Sequence, residues 1–293
     1  MGGERKLTAA RIAFKQVRAS IPSHFDKTRS SQLREALVRA IAGGLFAVAV
    51  TFLAHRARSL TTSGAIAAIV VGTIAVSAGW SWALLLLLFF VSSSALSKLG
   101  QRKKAEVAGP VIQQGGERNA RQVLANGGVY ALSAIGYLVF PSPLWYASAI
   151  GALAASAADT WATEIGTLFG GQPISITSGN RVPPGTSGGV TFVGTMAAVA
   201  GAAFIAAGAT LANWPVPFAA VALGGIAGAQ ADSLLGATLQ ARRWCEVCAK
   251  STERLVHSCG APTLHAGGVA GFDNDAVNVV CSCVGALVAL LVS

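Results

Sequence analysis

A chain of 293 residues that is 53% apolar and only 12% charged, with a mean hydropathy of +0.58, lacks the polar surface to cover a globule of its size in water. This excludes an ordinary soluble enzyme and indicates a protein whose outside faces lipid. The formal charge of +10 then points to anionic headgroups or an anionic substrate rather than to nucleic acid.

Five cysteines is an odd number, and no short apolar region with a small-residue cleavage site follows the basic start, so a disulfide scaffold is not indicated. Residues 1–35 form a basic tail in which Arg5, Lys6, Arg11, Lys15, Arg18, Lys27, Arg29 and Arg34 outnumber Glu4, Asp26 and Glu35. Part of this tail suits an amphipathic helix on anionic lipid, and a mobile tail is the plainer alternative. Eight apolar stretches follow near 36–55, 60–78, 80–97, 122–140, 143–165, 189–212, 215–240 and 272–292, each close to the roughly 20 residues a helix needs to span a bilayer. The expected fold is an all-α integral membrane protein, a polytopic bundle of about 7–8 transmembrane helices over residues 36–293.

Three joints are short and uncharged: Gly79 to Trp82, Pro141 to Pro143, and Asn213 to Pro217, with Trp80, Trp82 and Trp214 suited to the membrane interface. The other joints carry thirteen Lys and Arg against none in these three, which places loops 98–121, 166–188 and 241–271 in the cytosol of an inner or organelle membrane. The basic tail demands the cytosol too. Eight alternating spans cannot satisfy both, so one early segment is expected to be re-entrant or to fall short of a crossing. Gly and Ala dominate spans five to seven, which marks them as the closely packed centre.

Carboxylates near membrane helices cost about 2.5–3.5 kcal/mol each at a helix centre unless they are paired. Here Asp159 and Glu164 end span five, Asp232 lies within span seven, and Asp275 opens span eight beside Asn274 and Asn278. Hard oxygen ligands from several helices suit Mg²⁺ held with substrate phosphates, while capping and interhelical hydrogen bonding are the structural alternative. Before span six, the run Pro184-Gly185-Thr186-Ser187-Gly188-Gly189 offers backbone amides and hydroxyls at a helix start, an arrangement that favours phosphate. A plain Pro-Gly turn explains it otherwise. In the most cationic loop, Lys98, Arg118 and Arg121, with Asn119 between the last two, are the candidate phosphate contacts, whereas a topology signal accounts for Arg102 to Lys104. Cys245 and Cys248 with His257 and Cys259 supply four ligands for a closed structural Zn²⁺ site; reduced thiols, or His265 in place of His257, are the alternatives. Cys281 and Cys283 read as small packing residues inside span eight.

Taken in order, Ser92 to Lys98, Gly116 to Ala120, Ala158 to Gly166, Pro184 to Gly189, Ala231 to Gly236, Cys245 to Cys248 and Asp273 to Asn278 resemble a membrane family that includes the plant phytyl-phosphate kinase of the tocopherol pathway and animal transmembrane protein 19. The resemblance covers roughly residues 60–293. It implies a multi-spanning isoprenoid kinase of tocopherol or quinone biosynthesis that moves a phosphoryl group from a nucleotide triphosphate such as CTP to a prenyl monophosphate. The Pro-Gly-Thr-Ser-Gly-Gly run is also similar, more loosely, to the glycine-rich loops of CTP-using dolichol kinases and CDP-diacylglycerol synthases. On this reading Asp159, Glu164, Asp232 and Asp275 hold Mg²⁺ while Lys98, Arg118, Asn119, Arg121, Gly185 to Gly189, Asn274 and Asn278 hold phosphates or nucleotide. The rival from another class is a carrier or flippase for a lipid phosphate or small anion, which would use the carboxylates as ion relays.

Overall fold

The computed structural model describes residues 23–108 and 116–293; most of the basic tail therefore lies outside the described residues. Among the described residues, eight long helices alternate in direction: α1 (Ser23–Arg56), α2 (Thr62–Ala78), α3 (Trp80–Lys98), α5 (Ala120–Val139), α6 (Leu144–Phe169), α7 (Phe192–Leu211), α8 (Phe218–Thr238) and α9 (Asn274–Val292). A short α4 (Gln101–Val107) follows α3. Six of the long helices have the length and apolar composition to cross a membrane. The protein is an all-α polytopic membrane bundle, as its composition implies.

The other two long helices depart from that pattern for different reasons. α2 is apolar but has 17 residues, about 26 Å of helix against a hydrocarbon core of about 30 Å. It packs beside α1 and α5 and runs from the 57–61 join to the Gly79 joint, as its neighbours run between the same two ends. α6 has 26 residues and carries Asp159 and Glu164. It forms the axis of the bundle, against α3, α5, α7, α8 and α9. Ala149, Ile150, Ala152 to Ala155, Ala157 and Ala158 are completely buried. This bears out the Gly/Ala centre. A Cβ placed at Gly228 of α8 would lie 2.3 Å from Ala155 Cβ and 2.8 Å from the Cys281 carbonyl, so α6, α8 and α9 approach to backbone contact there. Leucines such as Leu45, Leu132 and Leu211 point outward from the bundle.

Because helices alternate, the joins 57–61, 99–119, 170–191 and 239–273 share one end, the loop face, and the tight joints share the other. The tight-joint end is pinned by aromatic packing: Trp82 meets Tyr130, Tyr137, Tyr146 and Trp214, and the Tyr130 hydroxyl donates to the Trp82 carbonyl at 2.6 Å. Here the interfacial expectation is corrected. Trp82 and Trp214 are 1% and 6% exposed and act as core; only Trp80 is open. Rings that stack on four neighbours gain more by burial than by floating at headgroups.

The loop face is not purely irregular. β1 (Ile174–Ser175) pairs antiparallel with β2 (Gly189–Val190), and β3 (Arg242–Cys245) sits between β4 (Lys250–Thr252) and β5 (Leu264–Gly267) in an antiparallel sheet. Helices entering from this face have side-chain caps: Thr61 onto Gly64 N–H, Asn119 onto Gln122 N–H, Thr191 onto Gly194 N–H and Asp273 onto Ala276 N–H.

Candidate functional site at the loop face

The polar residues of the sequence motifs gather at the loop-face ends of α3, α5, α6, α8 and α9. Ser156 of α6 and Ser282 of α9 meet at 3.0 Å inside the bundle, which fixes the register of the two helices. From that level Asp159 is one turn nearer the loop face, as is Asn278, and Asp275 lies about 10 Å nearer than Ser282 by helical rise.

Asp159 and Asp232 turn their carboxyl groups toward one another from α6 and α8. Both are only partly enclosed, and Asp232 Oδ2 is buried with no hydrogen-bond partner among the described residues. Two facing carboxylates with an orphan oxygen need a shared proton or a cation. Above them lies the glycine-rich turn. A Cβ at Gly236, one helical turn beyond Asp232, would meet Gly188 N at 3.0 Å and Ser187 Cβ at 3.3 Å, so the turn rests on α8 beside the carboxylate pair. Ser187 Oγ donates to Glu253 at the end of β4, and the Glu253 charge faces Asp232.

Gly188 has a reason of its own. Its φ is +74° and a Cβ there would sit 2.4 Å from Ala237 Cβ and 2.6 Å from Ala237 N, so the glycine is required by backbone contact with α8. Thr186 N–H donates to Pro183 O and Gly189 N–H to Thr186 O, inside the turn; the amides of Gly185, Ser187 and Gly188 have no backbone acceptor among the described residues. Those three are the ones a phosphate can use.

Two of the four carboxylates already have cations beside them. Glu164 faces Asp159 but accepts from Ser97 Oγ at 2.5 Å and from Lys104 Nζ at 2.5 Å. Asp275 is taken by Arg121, whose Nε lies 3.5 Å away while its NH2 reaches Asp273 at 2.7 Å. A buried carboxylate with a cation within reach is cheaper neutralised in place than left to await a metal. Glu164 and Asp275 are therefore ion-paired, and Asp159 with Asp232 remains as the carboxylate pair.

Among the candidate cations Lys98, Arg118 and Arg121, Arg118 is the most enclosed. Its NH1 donates to Ser94 Oγ at 3.0 Å and its NH2 to Ser97 Oγ at 3.2 Å, while the turn at Ser59 to Thr61 clips its backbone. Burial pulls its pKa below the ordinary value and the Glu164 charge opposes that. Lys98 is exposed and donates to the Ala57 carbonyl at 2.6 Å. Asn119 is engaged as the α5 cap in a capping box. Asn274 begins α9 and Asn278 is buried one turn later, its carbonyl accepting from Ser282.

Sequence reasoning missed Lys104 and Glu253. Lys104 lay in a basic run that fitted a topology signal, but α3 stops at Leu99 and Gly100 adopts φ +61°, which folds α4 back so that Lys104 is 9% exposed and also bonds the Leu96 and Ser97 carbonyls. Nothing local in the sequence marks Glu253.

The last loop brings Cys245, Cys248, His257 and Cys259 together, with one ligand atom from each within 4.8 Å of the others. His257 Nδ1 holds the Cys259 thiol down to about 6, with the Ala261 backbone assisting; the Cys248 thiol, hydrogen-bonded to Cys259, is pushed up to about 11. Cys281 is buried in α9, whereas Cys283 is exposed on its outer face rather than packed.

A family model described as Integral membrane protein DUF92 matches residues 45–286. The chain is 33% identical over 262 residues to Protein PGR of Arabidopsis thaliana, covering 79% of this chain and 88% of that protein. It is 32% identical over 209 residues to an uncharacterized membrane protein of Methanocaldococcus jannaschii, covering 70% and 85%. Protein VTE6, chloroplastic, of Arabidopsis thaliana is 27% identical over 241 residues, which is 79% of this chain and 65% of that protein. No solved structure matches. The matched region takes in the carboxylate pair, the glycine-rich turn, the cationic residues and the cysteine loop, and the chain belongs to the integral membrane protein family DUF92.

Proposed function

We propose that the protein is a prenyl-phosphate kinase that transfers the terminal phosphoryl group of a nucleotide triphosphate, CTP first among the candidates, to a prenyl monophosphate. The observation that carries this reading is the Asp159–Asp232 pair with its orphan oxygen, lying beneath the free amides of the glycine-rich turn at one end of the bundle. The similarity to VTE6 and the motif resemblance to the family of the plant phytyl-phosphate kinase support it.

A lipid substrate needs an apolar path that ends in a cation. An apolar cleft runs between α1, α2, α3 and α5, lined by Phe46, Val71, Leu86 and Phe90, with Arg118 and Gln122 at its loop-face end. The prenyl chain lies in this cleft and its phosphate reaches Arg118. An oxygen of the prenyl monophosphate attacks the γ-phosphorus, the bond to the nucleoside diphosphate breaks, and a prenyl diphosphate leaves. The attacking oxygen is already anionic near neutral pH, so the residues position and neutralise rather than remove a proton. Asp159 and Asp232 fit Mg²⁺, which when bound neutralises phosphate charge and orients the transferring group. Gly185, Ser187 and Gly188 offer amides to the nucleotide, and Arg121, 70% exposed, is placed to exchange part of its carboxylate pairing for phosphate. The positive-inside bias puts this face in the cytosol, where nucleotides are.

The test sets detergent-solubilised protein against proteoliposomes. A kinase makes prenyl diphosphate in detergent with nucleotide and Mg²⁺, and Asp232→Asn does not. A protein inert in detergent with CTP, ATP, GTP and UTP, yet able to move a lipid phosphate across liposomes, is a carrier and the proposal fails.

A further inference from the structure

The geometry points to a structural Zn²⁺ site at Cys245, Cys248, His257 and Cys259 that straps the β3–β4 hairpin over the glycine-rich turn. This inference does not depend on the kinase reading, because it concerns which metal the loop holds and what the loop then presses upon.

The distances already have the metal's dimensions. Zn–S bonds of about 2.3 Å and Zn–N bonds of about 2.0–2.1 Å in a tetrahedron place two sulfurs about 3.8 Å apart and a sulfur and a nitrogen about 3.5 Å apart. Cys245 Sγ lies 3.7 Å from Cys259 Sγ, and His257 Nδ1 lies 3.3 Å from Cys259 Sγ. Cys245 is the last residue of β3, and Ala249, with φ +52°, turns the chain into β4, so Cys248 returns toward the same point. The imidazole is 5% exposed and its Nδ1 is turned onto the Cys259 thiol, so the ring is enclosed with its ligating nitrogen inside the cluster. A carboxylate set for Mg²⁺ or Ca²⁺ is absent from this group; three sulfurs and one nitrogen select a soft or borderline ion. Binding releases the thiol protons, and three thiolates with a neutral imidazole leave the centre with one net negative charge.

What the metal holds follows from the strand pairing. β4 ends at Thr252, and the next residue, Glu253, accepts from Ser187 of the glycine-rich turn and faces Asp232. The metal closes the loop on both sides of β4, at Cys245 and Cys248 before it and at His257 and Cys259 after it. Glu253 is thereby fixed within a ring of chain that cannot open while Zn²⁺ is bound. Loss of the metal frees both the hairpin and its contact with Ser187.

Elemental analysis of protein grown with zinc and purified without chelator tests this: about one zinc per chain is expected in wild type and in Cys283→Ser, and less than about 0.2 in Cys248→Ser and His257→Ala. Where those variants do not accumulate, wild type stripped by a chelator and reloaded serves instead. Stripping raises backbone hydrogen exchange over residues 244–259 and 185–189, and added Zn²⁺ reverses it. Wild type that carries no zinc and whose exchange is unchanged by added Zn²⁺ overturns the proposal. A Cys245–Cys259 disulfide found by mass spectrometry of wild type purified anaerobically overturns it as well.

Discussion

Replacing Lys104 by Met removes the cation that neutralises Glu164 and two hydrogen bonds to the end of α3. Lys104 Nζ reaches Glu164 Oε2 at 2.5 Å, the Leu96 carbonyl at 2.8 Å and the Ser97 carbonyl at 2.9 Å. Breaking a buried ion pair from one side costs about 3–5 kcal/mol, because the partner charge is left uncompensated. The Glu164 side chain is 22% exposed, so water recovers part of that and about 2–3 kcal/mol remains. The two lost carbonyl contacts lie at a helix end within reach of water and add about 1 kcal/mol. Lys104→Met is therefore expected to cost about 3–4 kcal/mol, measured as reversible unfolding in mixed micelles. Glu164→Gln keeps the acceptor for Ser97 and leaves Lys104 its carbonyls, so about 1–2 kcal/mol is expected. The double variant should recover about 1–2 kcal/mol relative to the sum. A Lys104→Met cost below about 0.5 kcal/mol, or strict additivity, would refute the pairing and return Glu164 to the metal ligands.

Three further outcomes are expected. Gly188→Ala forces an L residue into φ +74° and against the backbone of Ala237, so it should destabilise by about 2 kcal/mol or more, and Ala237→Gly should not rescue it because the Ala237 amide remains in the way; unfolding measurements on the single and double variants decide. In zinc-free protein the Cys259 thiol, lowered to about 6 from 9.0, is mostly thiolate at pH 7 and loses its reactivity only as pH falls through 6, whereas Cys248, raised to about 11, stays unreactive until pH nears 11. Alkylation followed by peptide mass spectrometry across pH 5–11 reads both, and equal rates at pH 7 contradict it. Gly127→Leu fills the apolar cleft lined by Gly127 and should raise KM for a C20 prenyl phosphate about tenfold while leaving a C5 substrate unaffected, the loss of burial for about two methylenes at about 0.8 kcal/mol each setting the scale; equal KM changes for both lengths place the tail elsewhere.

Periodicity and composition carry the bundle because lipid permits few backbone solutions: each apolar stretch of the sequence became a helix, and the Gly/Ala run around Ala154 became the buried axis. Asn119, Thr191 and Asp273 cap the helices they precede, roles that position along the chain alone did not single out. What sequence could not show is who neutralises whom. Glu164 and Asp275 looked equivalent to Asp159 and Asp232 along the chain, and only the backfold at Gly100 and the exposed reach of Arg121 separate the ion-paired carboxylates from the facing ones. Trp82 and Trp214 were misjudged for a similar reason, because an aromatic beside a turn faces inward or outward according to the neighbours it finds. The cysteine loop was readable as a ligand set from spacing, while its link through Glu253 to Ser187 depends on strand register.

The most direct test of the account is transfer of label from γ-labelled CTP to a C20 prenyl monophosphate by purified protein in detergent with Mg²⁺. The account expects a labelled prenyl diphosphate from wild type, and none from Asp159→Asn or Asp232→Asn proteins that remain folded. Labelled diphosphate formed equally well by Asp232→Asn would contradict the placement of the reaction at the facing carboxylates, and no product with any of CTP, ATP, GTP or UTP would contradict phosphoryl transfer itself.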